Sequence, residues 1–309
     1  MGMQFGKIFR LCVVFVMLLR GGAAAQETLD MYAPPTPSSI PFLLAARKLD
    51  GVKVTIFSDH SQAHTLFLRG DAPMLVTGLS VGLNFFKQGA PVRVANSTVS
   101  GLTYLLTRDK PVSSFKELVG AEIYLPFEGS PIEEATKFLA AKEGVAWGTD
   151  LTPKYAPFPS ALELLKIGKI RVIALPEPSA TIAAAQKDVF VSFGYKEKWD
   201  ALTGGTDGYP QVAMFVMADW AAQRRDLLEK LHQELEQAIR LIADDPQQAV
   251  ALTKDAFGFS EPALLASLKR TSFALKTGDA LKQEIFDYYR LIGQPLDETC
   301  DPFFELDSR

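Results

Sequence analysis

The sequence has 309 residues, 48% of them hydrophobic and 22% charged, with 32 Lys and Arg against 36 Asp and Glu for a net charge of −4. An acidic balance without a basic cluster excludes nucleic acid and an anionic membrane surface as partners. With only two cysteines, Cys12 and Cys300, a disulfide-built scaffold is excluded as well.

At the N-terminus, Lys7 and Arg10 lead into an apolar stretch at 11–19 that is too short to cross a bilayer as a permanent helix. Ala23, Ala24 and Ala25 then supply the small residues a signal peptidase needs. Residues 1–25 therefore read as a secretory signal peptide, cleaved before Gln26, although Arg20 is an untypical charge so late in the segment. Cys12 lacks the small residue that precedes a lipidated cysteine, so a lipid-free periplasmic protein is expected. Cleavage leaves 284 residues and, with Lys7, Arg10 and Arg20 gone, 29 basic against 36 acidic residues, a net charge of −7. Cys300 is then alone and the fold must rest on its core. A chain of this length suggests two lobes. No later apolar run approaches the length of a membrane span, so a membrane transporter served by this protein would be another chain.

Short β-rich runs at 29–33, 52–57, 74–76 and 92–96 alternate with helical patterns. This is the pattern of an α/β fold with a largely parallel sheet. Pro41 opens one helix through Phe42, and Ser61 is read as opening another with an apolar stripe at Leu66 and Leu68, which leaves His60 outside it. A second α/β unit begins near Asp109, with strands at 123–125, 154–156 and 171–175 and a helix at 133–144. Its stretch 161–175 echoes 65–78 in logic: a helix ended by glycine, a tight turn and a buried strand. After the glycine-rich 204–208 comes a strand at 211–217, then a mostly helical tail at 226–243, 246–254, 261–272 and 280–292. Helices that follow a complete second unit need a surface to cover, so the chain is expected to return to its first lobe. Residues 26–108 and 213–309 then form a discontinuous first lobe and 109–212 the second, with a two-crossover hinge near 108–111 and 208–213.

Ligands of open α/β sheets bind beyond the carboxyl ends of the strands, where loops meet helix N-termini. Four loops qualify. Ser38 and Ser39 precede Pro41 and offer hydroxyls and free N–H groups. Thr77 and Gly78 follow a buried strand, and Asn96 closes a further one. In the second unit, Gly129 and Ser130 precede Pro131, with Ser130 as N-cap and Glu133 completing a capping box. Glu128 beside them and Glu177, fixed between Pro176 and Pro178, are carboxylates at the mouth, either touching ligand or capping structure. None of these loops carries Lys or Arg, which fits poorly with a purely anionic ligand. Among nearby aromatics, Phe42 sits in an apolar run and reads as core, whereas Tyr209, in the glycine-rich hinge, is the candidate for stacking on a ligand.

Other chemistry finds no footing. His60 and His64 lack a third metal ligand and, with Ser61 starting the helix, would not share a face; His232 reads as a surface residue. There is no Gly-x-Ser-x-Gly elbow and no phosphate-cradling glycine loop with lysine. No catalytic residue, metal or cofactor is expected.

Taken in order, Ala33-Pro34-Pro35-Thr36-Pro37-Ser38-Ser39-Ile40-Pro41, Thr77-Gly78, Phe127-Glu128-Gly129-Ser130-Pro131 and Leu175-Pro176-Glu177-Pro178 resemble the periplasmic substrate-binding proteins of ABC importers for nitrate, sulfonates, taurine and thiamine precursors. The resemblance implies a two-lobed type II periplasmic-binding-protein fold with a small-molecule ligand between the lobes. It also implies a membrane permease as partner and a binding role without catalysis; a monomer is expected because no coiled-coil heptad is evident. Two alternatives stay open: a sensing module for a membrane receptor, and an enzyme similar to thiamine-pyrimidine synthases, against which export argues.

Overall fold

The computed structural model describes residues 28–306; the signal-peptide reading of 1–25, with Cys12, lies outside them. In the first sheet β1 (Leu29–Ala33) pairs in parallel with β2 (Val52–Ile56) and β3 (Met74–Gly78). Parallel neighbours require a crossover, supplied by α1 (Ile40–Ala46) and α2 (His60–Leu68). Met74, Leu75 and Val76 form an unbroken buried run because helices cover both faces of the sheet. After α3 (Leu79–Lys87) the chain enters β4 (Val92–Gly101).

One residue, Leu102, separates β4 from β5 (Thr103–Arg108), yet β5 belongs to the second sheet. The boundary expected at 108/109 is therefore one strand too late: the first crossover is at Leu102. Nothing in the extended run from Val92 to Arg108 marks the change of partner, whereas the Asp109 turn, with φ of 76°, closes the far end of β5. The second sheet continues through β6 (Ala121–Leu125), α4 (Pro131–Lys142), β7 (Leu151–Tyr155), α5 (Phe158–Lys166), β8 (Val172–Pro176), α6 (Ser179–Ala184), β9 (Val189–Gly194) and α7 (Tyr195–Thr203). Its order is β7-β6-β8-β5-β9, with β6 parallel to β7 and β8, and β5 antiparallel to β8 and β9.

The chain then returns as β10 (Val212–Met217), which inserts antiparallel between β3 and β4. The two crossovers touch: the Tyr209 N–H donates to Ser100 O at 3.1 Å. At Gly208, with φ of 74°, a Cβ would stand 2.1 Å from that same carbonyl oxygen, so the approach admits only glycine.

The tail comprises α8 (Ala218–Gln223), α9 (Arg225–Asp244), α10 (Pro246–Thr253), α11 (Glu261–Leu268), β11 (Ser272–Lys276) and α12 (Gly278–Leu291). The helix expected through 272 ends at Leu268. Phe273 and Leu275 alternate with Ala274 and pack on the first-lobe core, so this segment becomes an edge strand on β4. Along α9 the buried residues are Leu228, Leu231, Leu235, Ala238 and Ile242. Their spacing of three and four makes one apolar stripe, which covers β-sheet core at one end and Ile40 and Leu44 of α1 at the other. Each fully buried leucine contributes about 1.5–3 kcal/mol.

Candidate ligand-binding cleft

The carboxyl ends of β1 and β3 face those of β6 and β8 across a cleft enclosing about 70 Å3. The first lobe supplies Pro34, Thr36, His60, Thr77 and Gly78; the second supplies Pro126, Phe127, Ser130, Pro131, Ile132, Phe158 and Pro176. Leu102, Gln211 and Val212 lie between them at the crossovers. The walls are mainly proline, aromatic and aliphatic, and no Lys or Arg lines them.

The lobes are in contact around this space. Ser80 Oγ on α3 donates to Gly129 O at 3.0 Å. A Cβ on Gly78 would stand 2.6 Å from Pro131 Cγ, closer than real Cβ atoms come, so glycine is what lets the start of α4 seat against β3. Tyr288 OH on α12 donates to Glu134 Oε2 on α4 at 3.4 Å. Tyr104 OH on β5 donates to Arg270 O at 2.6 Å, and the Arg270 guanidinium lies over the same ring at 5.6 Å.

Of the residues singled out in the sequence, Thr77, Gly78 and Ser130 line the cleft. Thr77 Oγ1 lies 3.2 Å from His64 Nε2. Ser130 is the N-cap of α4, its Oγ accepting the Glu133 N–H at 3.2 Å. The capping box is offset by one residue: Glu133 Oε2 accepts from the Gly129 N–H rather than that of Ser130, because Gly129, at φ of 74°, turns its N–H back to the helix. Glu133 is itself held by Tyr155 OH at 2.8 Å and Lys137 Nζ at 2.8 Å.

Other candidates stand behind the walls. Ser38 and Ser39 are buried: Ser39 Oγ donates to Pro34 O at 2.5 Å, and Ser38 Oγ lies 2.7 Å from Oγ1 of Thr36, and both of those partners line the cleft. Asn96 is buried in β4 with its Nδ2 3.8 Å from Met214 Sδ, and its Oδ1 has no partner among the described residues. Glu128 is exposed on the rim. Glu177 is fully buried, but its Oε2 accepts the Thr181 N–H at 3.1 Å at the start of α6. Its other oxygen pairs with Arg270, and its own N–H donates to Leu102 O at 2.8 Å. Of the two roles open for this carboxylate, helix capping is the one its contacts describe; burial raises its pKa, opposed by Thr181 and Arg270.

Tyr209 is not at the cleft wall. Its ring is buried between Trp199, 5.0 Å away, and Tyr288, 6.0 Å away. A large aromatic gains more from that stack than from a small opening, and the tight Gly208 crossing turns it inward. Its hydroxyl donates to Gln211 Oε1 at 3.3 Å, so Tyr209 meets the cleft only through Gln211.

Histidine is the signal that pattern reading discounts. Asp59, not Ser61, caps α2, its Oδ1 accepting the Gln62 N–H at 3.0 Å. Aspartate caps as well as serine does, so the helix starts one residue earlier. His60 and His64 therefore share a face, with ring centroids 5.9 Å apart. His60 lies edge-on to Phe57 at 4.8 Å, and its Nδ1 is buried without a partner among the described residues. Burial lowers the pKa of both, that of His64 to about 4 with help from His60, so both imidazoles are neutral at pH 7. Among the described residues no group of three or more His, Cys, Asp or Glu could hold a metal ion, and no helix is long and apolar enough to cross a membrane. His232 is half-buried on α9, its Nε2 also without a partner, rather than at the surface.

Two facing α/β lobes, joined by paired crossovers around one cleft, make up the periplasmic-binding-protein fold, and solved structures share it. The ligand-binding component of an ABC-type import system from Staphylococcus aureus, solved with zinc bound, matches with a TM-score of 0.74 at 13% identity, over 91% of this chain and 97% of that one. An ABC transporter structure from Parabacteroides distasonis matches at 0.72 and 16% identity, over 89% and 94%. The periplasmic aliphatic sulphonate binding protein SsuA from Escherichia coli matches at 0.71 and 17% identity, over 90% and 87%. Identities this low carry the fold and nothing finer. No protein-family model and no curated protein matches the sequence.

Proposed function

We propose that this chain is an extracytoplasmic solute-binding protein, which captures a small molecule between its lobes and delivers it to an ABC importer. The observation that carries the reading is the cleft itself, a space walled by both lobes at the carboxyl ends of their strands, with the chain passing between the lobes at two crossovers. A site so divided couples binding to lobe closure: a ligand that touches both walls favours the closed arrangement by its contacts there. Export through residues 1–25, a periplasmic location and a permease as the membrane partner complete the proposal, and a monomer suffices because the cleft needs no second copy.

Native mass spectrometry of protein purified from its own host, combined with small-angle scattering before and after ligand release, tests this reading. The expected result is a retained small molecule and a smaller radius of gyration with ligand than without. A ligand that binds tightly yet leaves the radius unchanged would rule out closure around the cleft. At 100 times its dissociation constant such a ligand raises stability by about 2.7 kcal/mol.

A further inference from the structure

Gln211 lines the cleft where the chain crosses back to the first lobe. Its side chain is buried, and its Oε1 accepts two hydroxyls, Thr103 Oγ1 at 2.9 Å and Tyr209 OH at 3.3 Å. With both hydroxyls donating, Oε1 faces Thr103 and Tyr209 and the Nε2 amino group faces away from them. The Nε2 donors are left with no partner among the described residues. His60, also in the cleft lining, has a buried Nδ1 that is equally unpartnered. A buried nitrogen like His60 Nδ1 is seldom left so unless water or a ligand completes it.

The surroundings disfavour charge. No cation lines the cleft, and most of the backbone donors at the start of α4 are spent within the protein, which leaves the Ile132 N–H as the one offered there. Pro131 has no N–H, the Glu133 N–H goes to Ser130 Oγ, and the Gly129 N–H goes to the Glu133 carboxylate. At the start of α2 the cap is the carboxylate of Asp59, next to His60, which would repel an anion. A cation would find no carboxylate in the lining either: Glu177 is committed to Thr181 and Arg270, Asp59 accepts from the Gln62 N–H outside the lining, and Glu128 is exposed. A charged ligand would be desolvated against apolar walls without compensation.

Building on the solute-binding reading above, we propose that the cleft selects a compact uncharged molecule with an apolar face, read by the Gln211 amide donors and by His60 Nδ1. Tyr209 is a positioning residue in this arrangement: its hydroxyl holds Gln211 Oε1 away and so presents Nε2. The ligand must then offer an acceptor to Gln211 and a second polar group to His60.

Isothermal titration of the purified chain with acetamide, 2-pyrrolidone and pyrimidine as uncharged probes, and with nitrate and methanesulfonate as anions, tests the assignment. At least one uncharged probe should bind, with Gln211→Leu and His60→Phe each weakening it tenfold or more. Tyr209→Phe should weaken it about threefold in the native background and not at all in the Gln211→Leu background, which a merely structural role would not produce. An anion that binds more tightly than every uncharged probe overturns the uncharged class. A probe whose affinity stays within threefold in Gln211→Leu or His60→Phe overturns that residue's role, and an undiminished effect of Tyr209→Phe without Gln211 overturns positioning. If no probe binds, the class is overturned, and native mass spectrometry after incubation in host extract separates the two readings. A retained molecule keeps the solute-binding function, and none retained removes that as well.

Discussion

Arg270 Nη1 lies 3.6 Å from Glu177 Oε1, an ion pair that ties the turn after α11 in the first lobe to the end of β8 in the second. The carboxylate is fully buried while the Arg270 side chain is 37% exposed, so solvent screens the pair from one side only. Removing the cation leaves a buried charge with the Thr181 N–H as its remaining partner. Arg270→Ala should lower stability by about 1–3 kcal/mol, below the full cost of breaking a wholly buried pair. Urea denaturation of both proteins measures this, and an unchanged midpoint would show that the pair is not engaged in solution.

Stability should depend on pH through Glu134, which burial raises from its ordinary 4.5 to about 7 despite the Tyr288 hydrogen bond. Neighbouring Glu133 also raises it, while Lys137 and Lys87 act the other way. Between these values the native state holds more protons than the unfolded one. The contribution of this group is therefore complete below pH 4.5 and is lost as pH rises through about 7. Glu134→Gln should flatten that fall and recover up to about 3 kcal/mol at pH 8. His64 runs the opposite way, its folded pKa depressed from 6.5 to about 4, so its contribution is complete above pH 6.5 and is lost as pH falls. His64→Phe should remove this acid-side loss. Thermal melts at pH 4 to 8 on each variant separate the two slopes.

At Gly78 the expected effect is on closure rather than on folding. A side chain there would meet Pro131 of the other lobe, and the cheapest relief is for the lobes to part. Gly78→Val should enlarge the radius of gyration and weaken any cleft ligand tenfold or more, while changing unfolding in its absence by less than about 1 kcal/mol. A variant as compact as the parent would mean that the contact yields locally.

Thr77 and Ser130 both line the cleft but should separate by their second duties. Ser130 caps α4, so Ser130→Ala should cost about 1 kcal/mol without ligand. Thr77→Val loses the contact to His64 Nε2 and should cost less in the free protein. Chemical denaturation of the two variants without ligand should rank Ser130→Ala as the less stable, and the reverse order would contradict the capping assignment.

Strand and helix were legible where one local rule sufficed. Pro131 behind Ser130 marked the start of α4, and the buried run Met74-Leu75-Val76 marked β3, because caps and apolar runs act within a few residues. What escaped depends on partners distant in sequence. The change of sheet at Leu102 leaves no trace in a continuous extended run. The placement of Tyr209 is decided by Trp199 and Tyr288, the latter 79 residues further on. His60 was set aside because the start of α2 was read one residue late, and its cleft position follows from the fold around it. Ser38 and Ser39 are in the right loop, but Pro34 and Thr36 of that turn reach the opening instead, a matter of side-chain direction that spacing does not encode.

The placement of β10 at the centre of the first sheet also sets an order of events for a chain that emerges N-terminus first. Residues 29–101 supply β1 to β4, but β3 and β4 are not neighbours; β10 must arrive to join them. The strands at 103–194, by contrast, form the whole second sheet from one contiguous segment. The second lobe can thus be complete while the first is still two pieces with open, aggregation-prone edges. Pulse-labelled proteolysis of the emerging chain should find the region 103–203 protected first. The earlier half of the first lobe should become resistant only after Met217 has been released.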